Sequence, residues 1–545
     1  MKNILVPVLC CLLLFQKAIS QNDNHGSETQ KLYITIKIWG FLKYYHPEVA
    51  SGTYDWDARL FEILPEIERC KTGKEVSRVL VRWIDTLGEV RECSRCRETG
   101  KDIFEKNFDL SWINDPAYLT PELSERLRFI CYNRFQGTPY YVALRKNGTP
   151  IPQHEPEYPD TGDANLKLLV LARYWNFISY FHPYTYLADQ SWDKVLKEMI
   201  PVFLKVDSKN TYRQAIRKLL AYTDDTHTKV RFKGVEDKYL PVKIKAIDDK
   251  AVVSGFFNDS IGKMSPFEKG DILLRIDDLD LQENISITLG YVSGSNPAVK
   301  RRNAYYRLLC GEESSAVATV LRRGDTVSVT SERYAYRDFF PKNRNIPDSL
   351  KWKDIHPDTG YLSMAHINAD EASYIMEKFM DKKAIIIDLR NYPAMIYWVI
   401  SRYLNNERRD FARVYIPDLK YPGKFRFKKN LKVGSKNKKS FRGEVVLLVD
   451  DETLSLSEFT AMAFQTAGNV ITIGSRTAGA DGDVTTIPLA DGTPSYTTGV
   501  GICYPDDTIT QRTGIRIDIE VKTTIKGLGE GRDEILEAAI AYLNR

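Results

Sequence analysis

Several motifs that would assign a function at once are missing from this 545-residue sequence. It has no phosphate-binding Walker loop, no Rossmann glycine fingerprint, no EF-hand loop and no HExxH helix. Neither sign of charge dominates, because 77 basic and 72 acidic residues leave a net charge of +5, which is too weak to indicate nucleic-acid binding. A chain of this length predicts about two to four domains, and its composition is that of an ordinary soluble globular protein.

Long apolar runs are also missing, except at the N-terminus. The run Ile4–Phe15 follows a lysine, is too short to span a membrane, and precedes a small-x-small site that ends at Ser20. This pattern predicts a signal peptide over 1–20, export to a periplasmic or extracellular location, and no membrane span after cleavage. Cys10 and Cys11 lie inside the apolar run, which favours cleavage without a lipid anchor.

Cysteine is scarce after the predicted signal peptide. Six cysteines remain, and four of them precede residue 135: Cys70, Cys93, Cys96 and Cys131. In an exported protein this clustering predicts disulfides in the N-terminal region, with the connectivity left open. Cys93 and Cys96 form a CxxC pair, but no second pair stands at zinc-site spacing. A structural disulfide is therefore favoured over redox or metal chemistry, and neither a metal nor another cofactor is predicted.

The N-terminal half contains a duplicated segment. Aromatic positions recur at a constant offset of 136 residues, linking Trp39 to Trp175, His46 to His182, and Trp56 to Trp192. Apolar residues follow helical spacing in both copies, so the pattern predicts a helical domain over 21–150 and a second helical repeat over 165–233.

Histidines distinguish the two copies. His46 and His182 lie in aromatic His-Pro turns, where a structural role is favoured over catalysis. At the same offset, His227 corresponds to Arg91. Only the second copy therefore ends with a histidine in an acidic, hydroxyl-rich turn.

Short strands and turns characterise residues 234–335. The stretch Lys269–Asp277 resembles the Lys-Gly-Asp-x-Ile-Leu-x-Ile-Asp signature of PDZ domains. The resemblance implies a β-rich domain that binds an extended peptide by strand addition.

Strands and helices alternate over 336–545. Uninterrupted apolar strands such as "AIIIDLR" and "EVVLLVDD" predict a buried, largely parallel sheet in an α/β domain. A basic run, "KYPGKFRFKKNLKVGSKNKKSFRG", lies between two of the strands. A solvated, mobile loop is its usual interpretation, and attraction of an acidic substrate is the alternative.

The segment Asp450–Phe464 holds two serines close to a glutamate, Ser455-Leu456-Ser457-Glu458. The pattern is that of a capping box, in which serine and glutamate begin a helix. It also follows a buried strand, and a strand-to-helix turn can expose a nucleophilic serine beside helix-start amides. Both interpretations are compatible with the local sequence.

From the helical repeat to the C-terminus, these motifs resemble the C-terminal processing (tail-specific) serine peptidases and the related tricorn-core peptidases. The family's Asp-Leu-Arg-Asn strand end is matched at 388–391, and its Gly-x-x-Thr-x-Gly loop is matched by Gly474–Gly479. The resemblance implies an α/β peptidase core of the ClpP/crotonase type, with Ser455 rather than Ser457 as the nucleophile. The predicted fold class of the whole chain is therefore that of an α/β multidomain protein.

The base is where this chain departs from the tail-specific members, because Ala480 stands where their lysine is expected. Tricorn-like members use a histidine before the PDZ-like region, and His227 matches that position. Their third member, a glutamate, is replaced by Gln511 here. The resemblance implies that Gln511 orients His227, and Asp224 or Asp225 could supply the missing charge.

Two further assignments complete the predicted site. The family resemblance implies an oxyanion hole made by the backbone amides of Leu456 and Ala394. His366 is a rival base, although an inward-facing structural histidine is favoured there.

The leading hypothesis is an exported serine endopeptidase that acts on protein or peptide substrates. The alternative is a catalytically inactive relative that binds peptides or small apolar ligands in the cell envelope. A third hypothesis is a structural envelope protein whose helical repeat binds partners.

Overall fold

The computed structural model describes residues 28–96, 102–158, 163–339, 348–436 and 439–545, so the predicted signal peptide lies outside the described residues. Contacts divide the chain into two compact units. The first comprises the described residues up to Ala215 with Pro417–Arg426 and Thr485–Ser495, and the second comprises Ile216–Ile416, Phe427–Val484 and Tyr496–Arg545. None of the helices in the described ranges has the length and hydropathy required to cross a membrane.

Helices dominate the first unit. The helical segments are 28–45, Pro47–Ala50, Trp56–Arg69, Gly73–Asp85, Ser111–Asn114, Pro121–Tyr132, Ala164–Phe181, Thr185–Leu187, Trp192–Leu204 and Lys209–Ala221, the last of which continues into the second unit. Short strands accompany them at Ile103–Phe104, Val142–Leu144 and Pro150–Pro152.

The duplication predicted from the sequence is confirmed in the structure. Trp39 Nε1 donates to the carbonyl oxygen of Trp56 at 2.9 Å, and Trp56 Nε1 donates back to the carbonyl of Trp39 at 3.0 Å. Trp175 and Trp192 exchange the same two hydrogen bonds at 2.8 and 2.9 Å. Each copy therefore joins its long helix to the following helix through the same pair of indoles.

The long helices of the two copies meet at a position where only glycine fits. A Cβ atom on Gly40 would lie 1.8 Å from Oδ1 of Asn176, its counterpart in the second copy. Asn176 Nδ2 donates to the carbonyl of Ile36 at 3.1 Å. This close approach explains why one copy has glycine and the other asparagine at the crossing.

The equivalent histidines of the two copies are buried, and so are three of the four described cysteines of the first unit, Cys70, Cys96 and Cys131. His46 has no exposed surface, and burial lowers its pKa to about 4, so the ring is neutral at pH 7. His182 is also buried, which agrees with a structural role. Cys93 and Cys96 form a disulfide, whereas Cys70 and Cys131 are buried and are not in that disulfide.

The β-rich region has its own sheet and core. Its principal strands pair antiparallel in the spatial order Asp325–Glu332, Ser315–Arg322, Ile272–Ile276, Lys250–Phe256 and Val242–Ile247. The helices are Asp259–Met264, Leu281–Leu289 and Pro297–Leu309, and apolar residues between 240 and 309 form a separate core with the strand Ser315–Arg322. The PDZ assignment itself stays a prediction.

A second sheet organises the C-terminal region. Its strands follow the spatial order Trp352–His356, Thr359–Ser363, Ala384–Asp388, Glu444–Val449, Val470–Gly474 and Ile519–Glu520. The first pairing is antiparallel and all the others are parallel, which confirms the predicted sheet.

Both faces of this sheet are covered, as the continuous apolar strands require. Ile385 and Ile387 point into one core, and Ile386 points into the other. The covering helices are Ala369–Phe379, Tyr397–Leu404, Leu456–Phe464 and Glu534–Leu543. Asn368 and Glu371 form a capping box at the start of the first of these helices.

The basic run is not the solvated loop that its charge favours. It contains the strands Phe425–Phe427 and Leu431–Val433, and Lys424 is buried. Lys424 Nζ pairs with Glu105 at 2.9 Å. The interpretation as a mobile loop is wrong for these residues, because Phe425 and Arg426 pair with the strand Ile103–Phe104, and Leu431–Val433 pairs with the strand Arg409–Pro417.

Candidate active site

Ser455 lies at the turn between the strand Glu444–Val449 and the helix Leu456–Phe464. Its backbone has φ 56° and ψ −115°, a conformation that residues other than glycine rarely adopt. Helix caps elsewhere in the chain are relaxed by comparison: Thr72 and Asn368 have φ values of −135° and −100°. An ordinary N-cap residue has extended backbone angles, so capping alone does not account for this conformation.

Glu458 ties the Ser455 turn to the Gly474–Gly479 loop. Its buried carboxyl accepts hydrogen bonds from the amides of Ser455 (3.3 Å), Gly479 (2.8 Å) and Ala480 (3.0 Å) and from the Thr477 hydroxyl (2.5 Å). Burial raises the pKa of Glu458, and these donors oppose the rise. The glutamate half of the predicted capping box is therefore present, but it also joins two motifs of the site.

Ser457 has a different role from Ser455. Its side chain is fully buried, and Oγ donates to the carbonyl oxygen of Asn391 at 2.6 Å. Thr453 Oγ1 donates to the carbonyl of Leu389 at 3.0 Å. The residues on either side of Ser455 thus hold the Asp388–Asn391 strand end beside the turn.

The two predicted oxyanion amides have no hydrogen-bond partner within the described residues. Leu456 is the first residue of its helix, where backbone N–H groups have no acceptor inside the helix. Ala394 lies in an exposed loop, and its carbonyl accepts from Ile396 N at 2.8 Å. Tyr392 and Met395 in the same loop are exposed as well.

His227 lies in a buried polar cluster in the turn that ends the second repeat. Its Nδ1 is 2.9 Å from Thr498 Oγ1 and 3.8 Å from Asp225 Oδ1. Burial lowers the pKa of His227, and the nearby Asp225 carboxylate partly opposes this effect. The neutral imidazole that a general base requires is therefore the form present at pH 7.

The hydrogen bonds determine the tautomer of this imidazole. Thr498 Oγ1 donates its single proton to Asp225 Oδ2 at 2.7 Å. The hydroxyl can then only accept from His227, so the proton of the ring is on Nδ1 and the lone pair is on Nε2. This is the tautomer that can remove a proton from a serine hydroxyl.

Asp225 is the centre of the cluster and is fully buried. Besides the Thr498 hydroxyl, it accepts from the backbone N–H groups of Thr498 (2.9 Å) and His227 (3.1 Å). Gln511 Nε2 donates to Asp225 Oδ1 at 3.3 Å and to Ser295 Oγ at 3.4 Å. Gln511 therefore contacts Asp225 and not the imidazole, and the contacts that orient His227 come from Thr498 and Asp225.

Ser455 and His227 do not hydrogen bond to each other in this structure, but the two parts of the site are joined. Ser455 N donates to the carbonyl of Ala480 at 3.0 Å, and Arg512 N donates to the carbonyl of Gly479 at 2.7 Å. Gln511, next to Arg512, reaches Asp225. Bonds between nucleophile and base are often long without substrate, so this separation is compatible with catalysis.

The helix Pro297–Leu309 and the residues before it brace the site. Asn296 Nδ2 donates to the carbonyls of Thr477 and Ala478 at 3.0 Å each. Ser293 and Ser295 accept from the amides of Asp225 and Thr226 at 3.1 and 2.9 Å.

A buried ion cluster holds the start of the Ser455 turn. Lys245 Nζ pairs with Asp450 at 2.8 Å and with Asp451, and Arg302 Nη1 pairs with Asp451 and Glu452 at 2.8 and 2.9 Å. Burial alone would lower the pKa of Lys245, but the two aspartates raise it. The acidic side chains at the start of the turn are therefore each paired with a cation.

Sequence patterns do not identify two residues of the site, Thr498 and Asp481. Nothing in the strand Pro494–Thr498 distinguishes Thr498, since its partner is 271 positions away. Asp481 is buried beside Ala480, its Oδ2 has no hydrogen-bond partner in the described ranges, and burial, with a smaller effect from Glu458, raises its pKa well above the usual range. An acid two residues after the loop glycine Gly479 is visible in the sequence, but its burial is not.

His366 is not an inward-facing histidine. The strand ends at Ser363, and His366 lies beyond it, exposed and with φ 67°. The prediction of an inward orientation is wrong, because the alternation of a strand does not extend past the end of its ladder.

A serine in a strained strand-to-helix turn, a free helix-start amide and a neutral buried histidine are groups of the kind that serine hydrolases use. Within the described ranges, no group of three or more histidine, cysteine or acidic side chains is arranged to hold a metal ion. Residues 358–521 match the family model of peptidase family S41. This region is a peptidase family S41 domain, and the chain is a serine-type peptidase by that domain.

Several solved structures are similar to this chain. The structure of mature CPAF complexed with lactacystin is 13% identical, with a TM-score of 0.53 over 70% of this chain and 97% of that one. The photosystem II D1 C-terminal processing protease is 18% identical, with a TM-score of 0.41 over 68% and 98% of the two chains. The tricorn protease is 16% identical, with a TM-score of 0.37 over 70% and 36%. A search of curated protein sequences found no match.

Proposed function

We propose that this chain is an exported serine endopeptidase that uses Ser455 as its nucleophile and His227 as its general base. The observation that carries the proposal is the strained backbone of Ser455. A residue that only begins a helix does not need a strained backbone. A nucleophile does benefit, because this conformation exposes its hydroxyl beside the free amide of Leu456. Export is supported by the sequence of residues 1–20 and by the Cys93–Cys96 disulfide.

In the proposed reaction, Ser455 Oγ attacks the carbonyl carbon of a peptide bond while His227 Nε2 takes the hydroxyl proton. The Leu456 amide, with the Ala394 amide as its proposed partner, binds the oxyanion. The imidazolium then gives its proton to the leaving amine, and a water molecule releases the acyl group by the reverse sequence of proton transfers. Asp225 stabilises the imidazolium through the Thr498 hydroxyl, because the carboxylate is its nearest negative charge.

Labelling with a fluorophosphonate probe tests this assignment, since the probe reacts with an activated serine. The wild type should be labelled at Ser455, Ser455→Ala should not be labelled, and His227→Ala should be labelled at least 100-fold more slowly. Ser457→Ala is the matched control and should still be labelled, because its Oγ is bonded to the Asn391 carbonyl. Labelling of His227→Ala at the wild-type rate would refute the role of His227.

Thr498→Val tests the connection to Asp225. It keeps the side-chain shape, removes the hydroxyl between imidazole and carboxylate, and should slow labelling while changing its pH profile. A folded wild type that binds peptides but neither reacts with the probe nor cleaves an unfolded protein would favour the alternative of a catalytically inactive, peptide-binding relative. Ala480 in place of the family's lysine is the observation that keeps this alternative open.

A further inference from the structure

The first unit contains a cavity of about 570 Å³ that is separate from the residues of the candidate active site. Aromatic side chains and charges of both signs line it. Among the lining residues are Lys37, Trp112, Trp175, Ser179, Tyr186 and Asp193.

The internal duplication relates this cavity to a second place in the same unit. Lys37 corresponds to Arg173 and Asp57 to Asp193 at the offset of 136 residues. The copies exchange these side chains: Lys37 of the first copy pairs with Asp193 of the second at 2.8 Å, and Arg173 of the second pairs with Asp57 of the first. Two equivalent ion pairs therefore stand in two equivalent environments.

At the Asp57 pair, the environment is filled by the chain's own segment Glu155–Tyr158. Arg173 Nη1 donates to the carbonyl of Pro156 at 2.9 Å, and the Tyr158 hydroxyl donates to Asp57 Oδ2 at 3.2 Å. Lys43 Nζ pairs with Glu155 at 2.5 Å. The occupant is thus an extended peptide with the sequence Glu-Pro-Glu-Tyr.

At the Asp193 pair, the equivalent space is open. Ser179 stands at the position of Lys43 and lines the cavity, so the long cation of the first copy is absent. The side chain of Asp193 is 41% exposed, compared with 4% for Asp57. Lys37 and the Tyr33 hydroxyl contact the Asp193 carboxylate, and the rest of its surface is accessible, whereas Asp57 is covered.

We propose that this cavity binds an extended peptide and places a tyrosine side chain against Asp193, as Tyr158 lies against Asp57. The phenol hydroxyl donates to the Asp193 carboxylate, and the ring packs among the aromatic walls. Lys37 stays paired with Asp193, and Lys106 at the cavity supplies a cation for an acidic residue of the peptide. The site does not depend on catalysis by Ser455.

Binding of a fluorescein-labelled peptide, Gln-His-Glu-Pro-Glu-Tyr, to the full chain carrying Ser455→Ala tests the proposal by fluorescence anisotropy. Saturable binding is expected, and replacing the peptide's tyrosine by phenylalanine should weaken it about tenfold, since a hydrogen bond to a charged acceptor is lost. Ser179→Lys restores the cation that pairs with Glu155 in the first copy and should strengthen binding about tenfold, whereas Ser179→Ala should leave it unchanged.

Hydrogen exchange of the same protein gives a second measurement that does not depend on a cavity variant. Addition of the peptide should slow exchange in residues 106–112. Absence of saturable binding, or binding that is equal for Ser179→Lys and Ser179→Ala, would overturn the proposal. Because cleavage is not measured, these outcomes are independent of whether Ser455 is a nucleophile.

Discussion

The strained backbone of Ser455 predicts an unusual response to glycine. At most positions, replacing alanine by glycine destabilises a protein, because glycine loses more conformational freedom on folding. At φ 56° and ψ −115°, a Cβ atom is itself unfavourable, and the strain amounts to roughly 1–3 kcal/mol. Glycine at 455 relieves this strain, so Ser455→Gly should be more stable than Ser455→Ala.

The expected size follows from a comparison with a neighbouring serine. Ser457 lies in the first turn of the helix that Ser455 precedes, and glycine there should be roughly 0.5–1 kcal/mol less stable than alanine. Glycine raises the conformational entropy of the unfolded chain by a similar amount at both positions. The difference between the two alanine-to-glycine changes therefore isolates the strain, with an expected value of roughly 1–3 kcal/mol.

Native-state hydrogen exchange of the helix Leu456–Phe464 measures these changes, because it reports the free energy of local opening in a chain with two units. The four variants are Ser455→Ala, Ser455→Gly, Ser457→Ala and Ser457→Gly. Each pair lacks the serine hydroxyl, so the lost Ser457–Asn391 hydrogen bond cancels within its pair. If glycine destabilises both positions equally, Ser455 is not strained and the argument for a nucleophile loses its main support.

Two further predictions concern buried charge. The pKa of His46 is about 4 in the folded chain and about 6.5 when unfolded, so the unfolded state takes up a proton first as the pH falls. Roughly 3 kcal/mol of folding stability should therefore be lost between about pH 6.5 and 4. In denaturant titrations His46→Phe should remove this loss, whereas His356→Phe, at an exposed position, should not. Lys245→Met leaves Asp450 buried without its cation and should destabilise the Ser455 turn by about 3 kcal/mol, measured by hydrogen exchange. The control is Lys243→Met, which lies on the same strand but is exposed. Equal effects of the two substitutions would contradict the role of the ion cluster.

Local patterns predicted the parts of the molecule that depend on neighbouring residues. The parallel strands follow from continuous apolar runs, and the helix after Ser455 follows from the cap pattern at Glu458. The duplication follows from a constant offset, and the structure confirms it at the paired tryptophans.

Long-range partners could not be predicted in the same way. Thr498 reaches His227 across 271 positions, and Lys424 reaches Glu105 across 319. The orientation of His366 was predicted incorrectly because the end of its strand is decided by the neighbouring strand and not by its own sequence. The strain at Ser455 was likewise invisible, since serine is common at relaxed helix caps.

The chemistry of Gln511 and Asp225 explains one departure from the family pattern. The resemblance implies a glutamate at 511, and the loss of that acid suggests a weakened site. In this structure Gln511 Nε2 lies 3.3 Å from Asp225 Oδ1, however, so a second carboxylate at 511 would place two anions in contact. Their repulsion would be about 5 kcal/mol at an effective dielectric constant of about 20. The buried site therefore accommodates one acid, and an amide donor at 511 stabilises Asp225 in that role. The negative charge near His227 in this chain is therefore that of Asp225.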